Sequence, residues 1–214
     1  MRRVLPPLLF ASLASSTAVA GDGWVQYSEK DDVTSYSKSL EGSNMLSTRG
    51  VATIHVPLCQ AMGLYLDTTR APNWVNLMVR LDATPIAGST DVLEHHIYDM
   101  PWPVSDREFV FKRTTHWEDD TKTVTVTYHS VEDAKYPHND EFVRGIDHGS
   151  FWKFTVVDAT HTRVEAVAMV DPQGSLPSWL FNSVQRAWPR DSIHGLVAEV
   201  AKGHVTPRPE CAGW

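Results

Sequence analysis

From residue 79 to residue 170 the sequence reads as almost continuous strand, and a single long helical segment, 177–202, follows it. That order leaves few folds open. Strands are expected over 79–86, 91–99, 107–117, 122–131, 143–157 and 162–170, from their β-branched and aromatic content. Asp119-Asp120 and Asp158-Ala159-Thr160 supply hairpin turns between them. Hairpin-joined strands pair antiparallel, and a sheet this long curls, so its concave face must be covered or left as a cavity. The helical segment is the natural cover. Pro177 stands in its first turn, Pro189 interrupts it and should kink it, and Gly203 closes it. Leu180, Phe181, Val184 and Trp188 before Pro189, with Ile193, Leu196, Val197 and Val200 after it, form an apolar stripe about 100° wide. The fold class is α+β, with helices segregated to one side of an antiparallel sheet.

Upstream, 33–40 and 46–56 read as a hairpin around Glu41-Gly42-Ser43-Asn44. Pro57 opens a helix whose apolar positions are Leu58, Met62, Tyr65 and Leu66. Pro72-Asn73-Trp74 starts a second short helix expected to reach about Met78. No repeat or linker divides the chain, so residues 21–214 are read as one domain.

Residues 1–20 are set apart. Arg2 and Arg3 precede an apolar run, and Ala18-Val19-Ala20 is a small-x-small cleavage pattern before Gly21. This is the arrangement of a secretory signal, and the run is about half the roughly 20 residues that span a bilayer. Localisation is therefore expected to be periplasmic or extracellular. Removal of Arg2 and Arg3 takes the 19 basic residues to 17, against 26 acidic ones. That balance argues against nucleic acid as a partner, which calls for a basic face. In an oxidising compartment the two cysteines, Cys59 and Cys211, are expected to form a bridge. It would clip the C-terminal tail to the start of the helix after Pro57.

The concave face is most informative along 107–117. Phe109, Phe111, Arg113, Thr115 and Trp117 share one side at period two, which places Arg113 in an apolar face. A buried guanidinium needs a carboxylate or a ligand anion. The preceding strand offers Glu94, His96 and Tyr98 on one side, with Glu94 the best partner. A structural ion pair on a solvated face is the alternative. Other motifs carry less. Ser35-Tyr36-Ser37-Lys38 spells a nucleophile motif but lies on an edge hairpin with no partner motif. His95 and His96 are adjacent, so on a strand they face opposite sides and cannot chelate together. No metal site and no cofactor is expected.

Two stretches and one tryptophan resemble a known family. Pro101-Trp102-Pro103-Val104-Ser105-Asp106-Arg107-Glu108-Phe109-Val110 is similar to the Pro-aromatic-Pro…Arg-Asp-Phe-Val signature of the START (steroidogenic acute regulatory protein-related lipid transfer) domain family, with Glu108 where Asp is usual. Asp171-Pro172-Gln173-Gly174-Ser175-Leu176-Pro177-Ser178-Trp179-Leu180-Phe181-Asn182 resembles the signature opening that family's last helix. Trp74 after Pro72-Asn73 matches a further family tryptophan. The resemblance implies a helix-grip: a curved antiparallel sheet closed by a long C-terminal helix around a hydrophobic tunnel. It also implies an acid and an arginine facing each other inside, at positions that match Glu94 and Arg113. The expected ligand-binding residues are Glu94, Arg113, His96, Tyr98, Phe109, Phe111, Trp74, Tyr128, Leu180 and Val184.

The function expected is non-catalytic binding, with transfer, of a sterol or phospholipid by a monomer in transient contact with a membrane. The alternative is an enzyme of cyclase or hydrolase type using the same cavity. A structural partner-binding protein of the envelope is a third reading. The cleavage expectation has a direct check: N-terminal sequencing of the exported protein should begin at Gly21, and an intact Met1 or a start far from Gly21 would refute it.

Overall fold

The computed structural model describes residues 22–214; the expected signal, residues 1–20, lies outside them. Twelve strands are present among the described residues. They are β1 (Val25–Lys30), β2 (Val33–Ser39), β3 (Leu46–Ile54), β4 (Met78–Pro85), β5 (Val92–Tyr98) and β6 (Arg107–Glu118). Then come β7 (Thr123–Ser130), β8 (Val143–Arg144), β9 (Ile146–Asp147), β10 (Phe151–Val156), β11 (Thr162–Ala168) and β12 (Val170–Asp171). One sheet runs β1-β2-β3-β11-β10-β7-β6-β5-β4, with β8 added in parallel to β6; β9 and β12 pair separately. Two α-helices complete the described chain: α1 (Leu58–Tyr65) and α2 (Ser178–Ala201). The architecture is the large antiparallel sheet with a C-terminal helix that the sequence implies.

The expected hairpin is β2-β3, joined by residues 40–45. Strand β1 was not anticipated. It folds back on β2 through Asp31 and Asp32, both at positive φ (53° and 61°), the conformation that a two-residue hairpin turn requires. The expected strand 143–157 is broken into β8, β9 and β10. Two local causes act. Gly145 lies so close against the Phe109 ring that a Cβ there would collide with it. The Asp147 carboxylate accepts the N–H groups of Gly149 (2.8 Å) and Ser150 (2.7 Å), with Gly149 at φ 113°, which turns the chain.

The second short helix is a correction. Only a 3₁₀ turn, Ala71–Asn73, forms there. Trp74 leaves helical geometry at φ −134°, Leu77 sits at φ 64°, and the Leu77 carbonyl accepts the Asp99 N–H at 2.9 Å, so the segment is tied to the end of β5 instead.

Helix α2 continues through Pro189 and packs on β3, β2, β11 and α1. Its approach to the sheet is set by Gly50. A Cβ at Gly50 would lie 2.6 Å from the Pro189 Cβ, so the absence of a side chain there lets the helix settle. At the other side, Gly195 rests against the Trp74 carbonyl with no room for a methyl group. Beyond Pro189 the helix buries Ile193 and Leu196 in a core with Met62, Leu64, Val124, Phe154 and Val164. Cys59 on α1 is joined to Cys211, and the Arg208 N–H donates to the Cys59 carbonyl (3.0 Å), which holds the tail on α1.

Candidate functional site

Before Pro189 the helix covers no filled core. Beneath Phe181, Val184, Gln185 and Trp188 lies a cavity of about 150 Å³, floored by β5, β6, β7 and β10 and flanked by the segment from Ala71 to Met78. These four positions follow i, i+3, i+4, i+7 spacing, so one face of α2 forms the roof. The wall is mainly apolar and aromatic. Phe109 and Phe111 stack with ring centroids 5.5 Å apart, and Trp152 meets Trp74 edge-on at 5.9 Å and Trp188 at 5.7 Å.

A polar patch centred on Glu94 interrupts it. In the β5-β6 register Glu94 lies opposite Phe111 and Val92 opposite Arg113, so Arg113 reaches Glu94 along the diagonal. Arg113 Nε donates to Glu94 Oε1 at 2.5 Å, and Arg113 Nη1 to Thr115 Oγ1 at 2.9 Å. His96 Nε2 is 3.0 Å from Glu94 Oε2 and His96 Nδ1 is 3.3 Å from the Tyr98 hydroxyl. With the ring proton on Nε2, His96 donates to Glu94 and accepts from Tyr98. The Tyr65 and Tyr128 hydroxyls share a 2.8 Å hydrogen bond.

The electrostatics follow from burial. Glu94 is 1% exposed. Burial pushes its carboxyl up, but the hydrogen bond from His96 and the charge and hydrogen bond of Arg113 outweigh it and hold the group below the ordinary carboxylate value. Burial pushes the Tyr65, Tyr98 and Tyr128 phenols far up, so all three stay neutral. The patch is therefore an internally neutralised ion pair with neutral hydroxyls around it. Asp147, also on the wall, behaves differently: burial raises its carboxyl against the hydrogen bonds from Ser150 and Gly149.

Eight of the ten expected ligand-binding residues line this cavity: Glu94, His96, Tyr98, Phe109, Phe111, Trp74, Tyr128 and Val184. Arg113 does not; it stands behind the Glu94 carboxylate. Leu180 does not either. It lies about 100° round the helix from Phe181, which takes that place. Tyr65, Asp147, Ser150, Trp152 and Gln185 also line the wall and were not anticipated. Gly149 was the available signal for the Asp147–Ser150 turn. Gln185 carried none, being a polar residue in an apolar stripe.

The outer face of the same strands holds a second cluster. Glu108 accepts from His95 Nε2 (2.7 Å) and Arg144 Nε (2.9 Å), and Arg144 Nη2 donates to the Tyr136 carbonyl at 2.9 Å. His95 and His96 thus serve opposite faces. Among the described residues no three His, Cys, Asp or Glu side chains converge as a metal site.

Comparison with known proteins agrees with this geometry. The family model described as "START domain" matches residues 10–202. An uncharacterised protein of Pseudomonas aeruginosa is 27% identical over 205 residues, covering 94% of this chain and all of that protein. The solved structure of human StAR-related lipid transfer protein 5 superposes with a TM-score of 0.79 at 17% identity, covering 86% of this chain and 89% of that one. A STAR-related lipid transfer protein fragment from Xanthomonas axonopodis gives 0.72 at 22% identity, covering 84% and 99%.

Coupling of Glu94 and Arg113 is testable. Arg113→Met and Glu94→Leu should each destabilise by about 3–5 kcal/mol, since each leaves a buried charge alone, while the double variant recovers part of the loss. The pH sign follows from the depressed Glu94 value. Its contribution is full above the unfolded carboxylate value of about 4.3 and is lost as pH falls through the lower folded value. Urea unfolding over acid to neutral pH should show that acid-side loss in the wild type and less of it in the double variant. Additive single-variant losses would refute the coupling.

Proposed function

The chain belongs to the START domain family, and from that premise we propose that it binds one lipid molecule, without catalysis, between the sheet and the first half of α2. The observation that carries this reading is the roofed cavity: mainly aromatic and aliphatic walls around the neutralised Glu94 patch, with Arg107, Asp147 and Gln185 elsewhere on the wall. Apolar ligand surface moved there from water gains about 25 cal/mol per Å². A neutral or zwitterionic lipid suits the patch, because its only carboxylate is already satisfied by Arg113 and His96.

Size adds a condition. Ligand pockets usually measure about 300–1,000 Å³, and this cavity measures about 150 Å³. A whole lipid therefore enters only if the roof lifts. Gln173 (φ 53°) and Gly174 (φ 70°) lie just before α2 and Pro189 lies within it, which places hinge candidates at both ends of the roof.

Transfer between membranes is part of the proposal. Trp102 is 92% exposed and Trp179 is 73% exposed. Arg107 donates to the carbonyls of Ser105, Pro172 and Gln173, so it ties together the two segments that carry them. Tryptophan favours membrane interfaces, and an acidic monomer would rely on such contacts rather than on charge. Export to the periplasm or outside the cell, by the N-terminal segment, completes the reading.

The enzyme reading has one observation in its favour: Asp147 is a wall carboxyl pushed toward protonation by burial. Glu94 is a poor acid by contrast, because its surroundings keep it ionised. Titration with a fluorescent sterol and with fluorescent phosphatidylcholine should give saturable binding of at least one, at one molecule per protein. Binding of neither, with turnover of a small ester or polyketide, would establish the enzyme instead.

A further inference from the structure

The Glu94 patch is a poor anchor for a ligand, because its groups already bond one another. Both Glu94 oxygens are taken, by Arg113 and His96, and the His96 Nδ1 faces Tyr98. Unsatisfied polar groups are a better guide to where a ligand's polar atoms go, since burying a donor without a partner costs about 1–3 kcal/mol.

Among the described residues a few buried side-chain polar atoms have no hydrogen-bond partner, and only two of them belong to residues lining the cavity: Gln185 Nε2 and Trp74 Nε1. Gln185 is 3% exposed and Trp74 is 7% exposed, so both side chains are held away from bulk solvent. They come from the two elements that form the roof and its flank, α2 and the segment after the 3₁₀ turn. The position of Gln185 has a further consequence. It lies four residues before Pro189, which has no N–H to give to the Gln185 carbonyl. A polar residue is thus retained on the apolar face of α2, over the cavity, at the turn that Pro189 loosens. The Tyr65–Tyr128 pair adds a third donor, because two hydroxyls sharing one bond leave one hydrogen over.

We infer that Gln185 and Trp74 are the ligand's hydrogen-bond anchors, and that they hold carbonyl oxygens of a neutral acyl lipid. This rests on the lipid-binding reading and deepens it. A carbonyl oxygen has two lone pairs and no hydrogen of its own to satisfy, so it fits donors that lack acceptors. Arg113 does not serve an ionised phosphate, being paired with Glu94; the Arg107 guanidinium, on the same wall, is bonded to three neutral carbonyls and keeps its charge, so preference for phosphatidylcholine over dioleoylglycerol would count against the inference. The two anchors lie on the parts that must move to admit a lipid, so bonding to the ligand also fastens the roof down.

The test compares dioleoylglycerol with its di-oleyl ether analogue, which keeps the chains and the free hydroxyl but lacks both carbonyls. The wild type should bind the ester about fivefold or more tightly than the ether, the range expected when buried donors go unpaired. Gln185→Leu should melt no lower than the wild type, since it removes an unsatisfied buried group. It should lose most of the ester preference and bind the ether at least as well as the wild type does. Trp74→Phe, which keeps the ring and drops the N–H, should reduce the preference in the same direction. The wild-type comparison stands without either variant. Equal affinity of the wild type for ester and ether overturns the inference and leaves lipid binding intact. So does binding of cholesterol with neither glyceride. Failure of all three lipids to bind overturns the inference, and failure of phosphatidylcholine as well overturns the lipid-binding reading.

Discussion

The contact between α2 and the sheet at Gly50 is the constraint on which the rest of the structure depends. A ten-stranded, almost wholly antiparallel sheet has a face that must be kept from water, and here one helix covers much of it. The Pro189 ring takes the space a side chain at position 50 would need, and Gly195 lets the same helix press against the Trp74 carbonyl. These two close approaches fix the helix along its second half, where Ile193 and Leu196 complete a filled core with α1. The first half is left to span an incompletely filled space. Pro189 marks the boundary, so one helix serves as a fixed anchor on one side and as a roof on the other.

Buried charge is divided between the two faces of the same strands with the same logic. Inside, Glu94 is neutralised by Arg113 and bonded to His96. Outside, Glu108 is neutralised by Arg144 and bonded to His95. Strand alternation separates the two sets, since adjacent residues of β5 point to opposite faces. Neither carboxylate is left without partners. The cavity is mainly apolar, with the Glu94 group satisfied from within.

Much of this was legible in the sequence, for identifiable reasons. Strand periodicity on 107–117 placed Phe109, Phe111 and Arg113 on one face, and the same alternation separated His95 from His96. The single long helix after a run of strands required a cover over a sheet. Turn chemistry was read less completely. Asp31-Asp32 is a hairpin signal that would have revealed β1, and Gly145 and Gly149 mark where 143–157 breaks. The segment 72–78 looked helical because Pro72 suits a first helical turn, but tertiary bonds to Asp99 and the contact with Gly195 decided its course. Helix phase was wrong by one position at Leu180, since the stripe on α2 is wide enough to hold residues that do not reach the cavity. Gln185 was invisible for a deeper reason: a functional polar group on a buried face contradicts the hydrophobic pattern that identifies the face.

The central claim is that the space beneath the first half of α2 is a lipid site. Native mass spectrometry of the purified protein, before and after incubation with lipid vesicles, tests it most directly. The account predicts a one-to-one complex with a lipid mass, already present from the source or acquired from the vesicles, and diminished when Val184→Trp fills the cavity beneath the helix. A wild-type protein that stays at its bare mass under both conditions while remaining folded would contradict it.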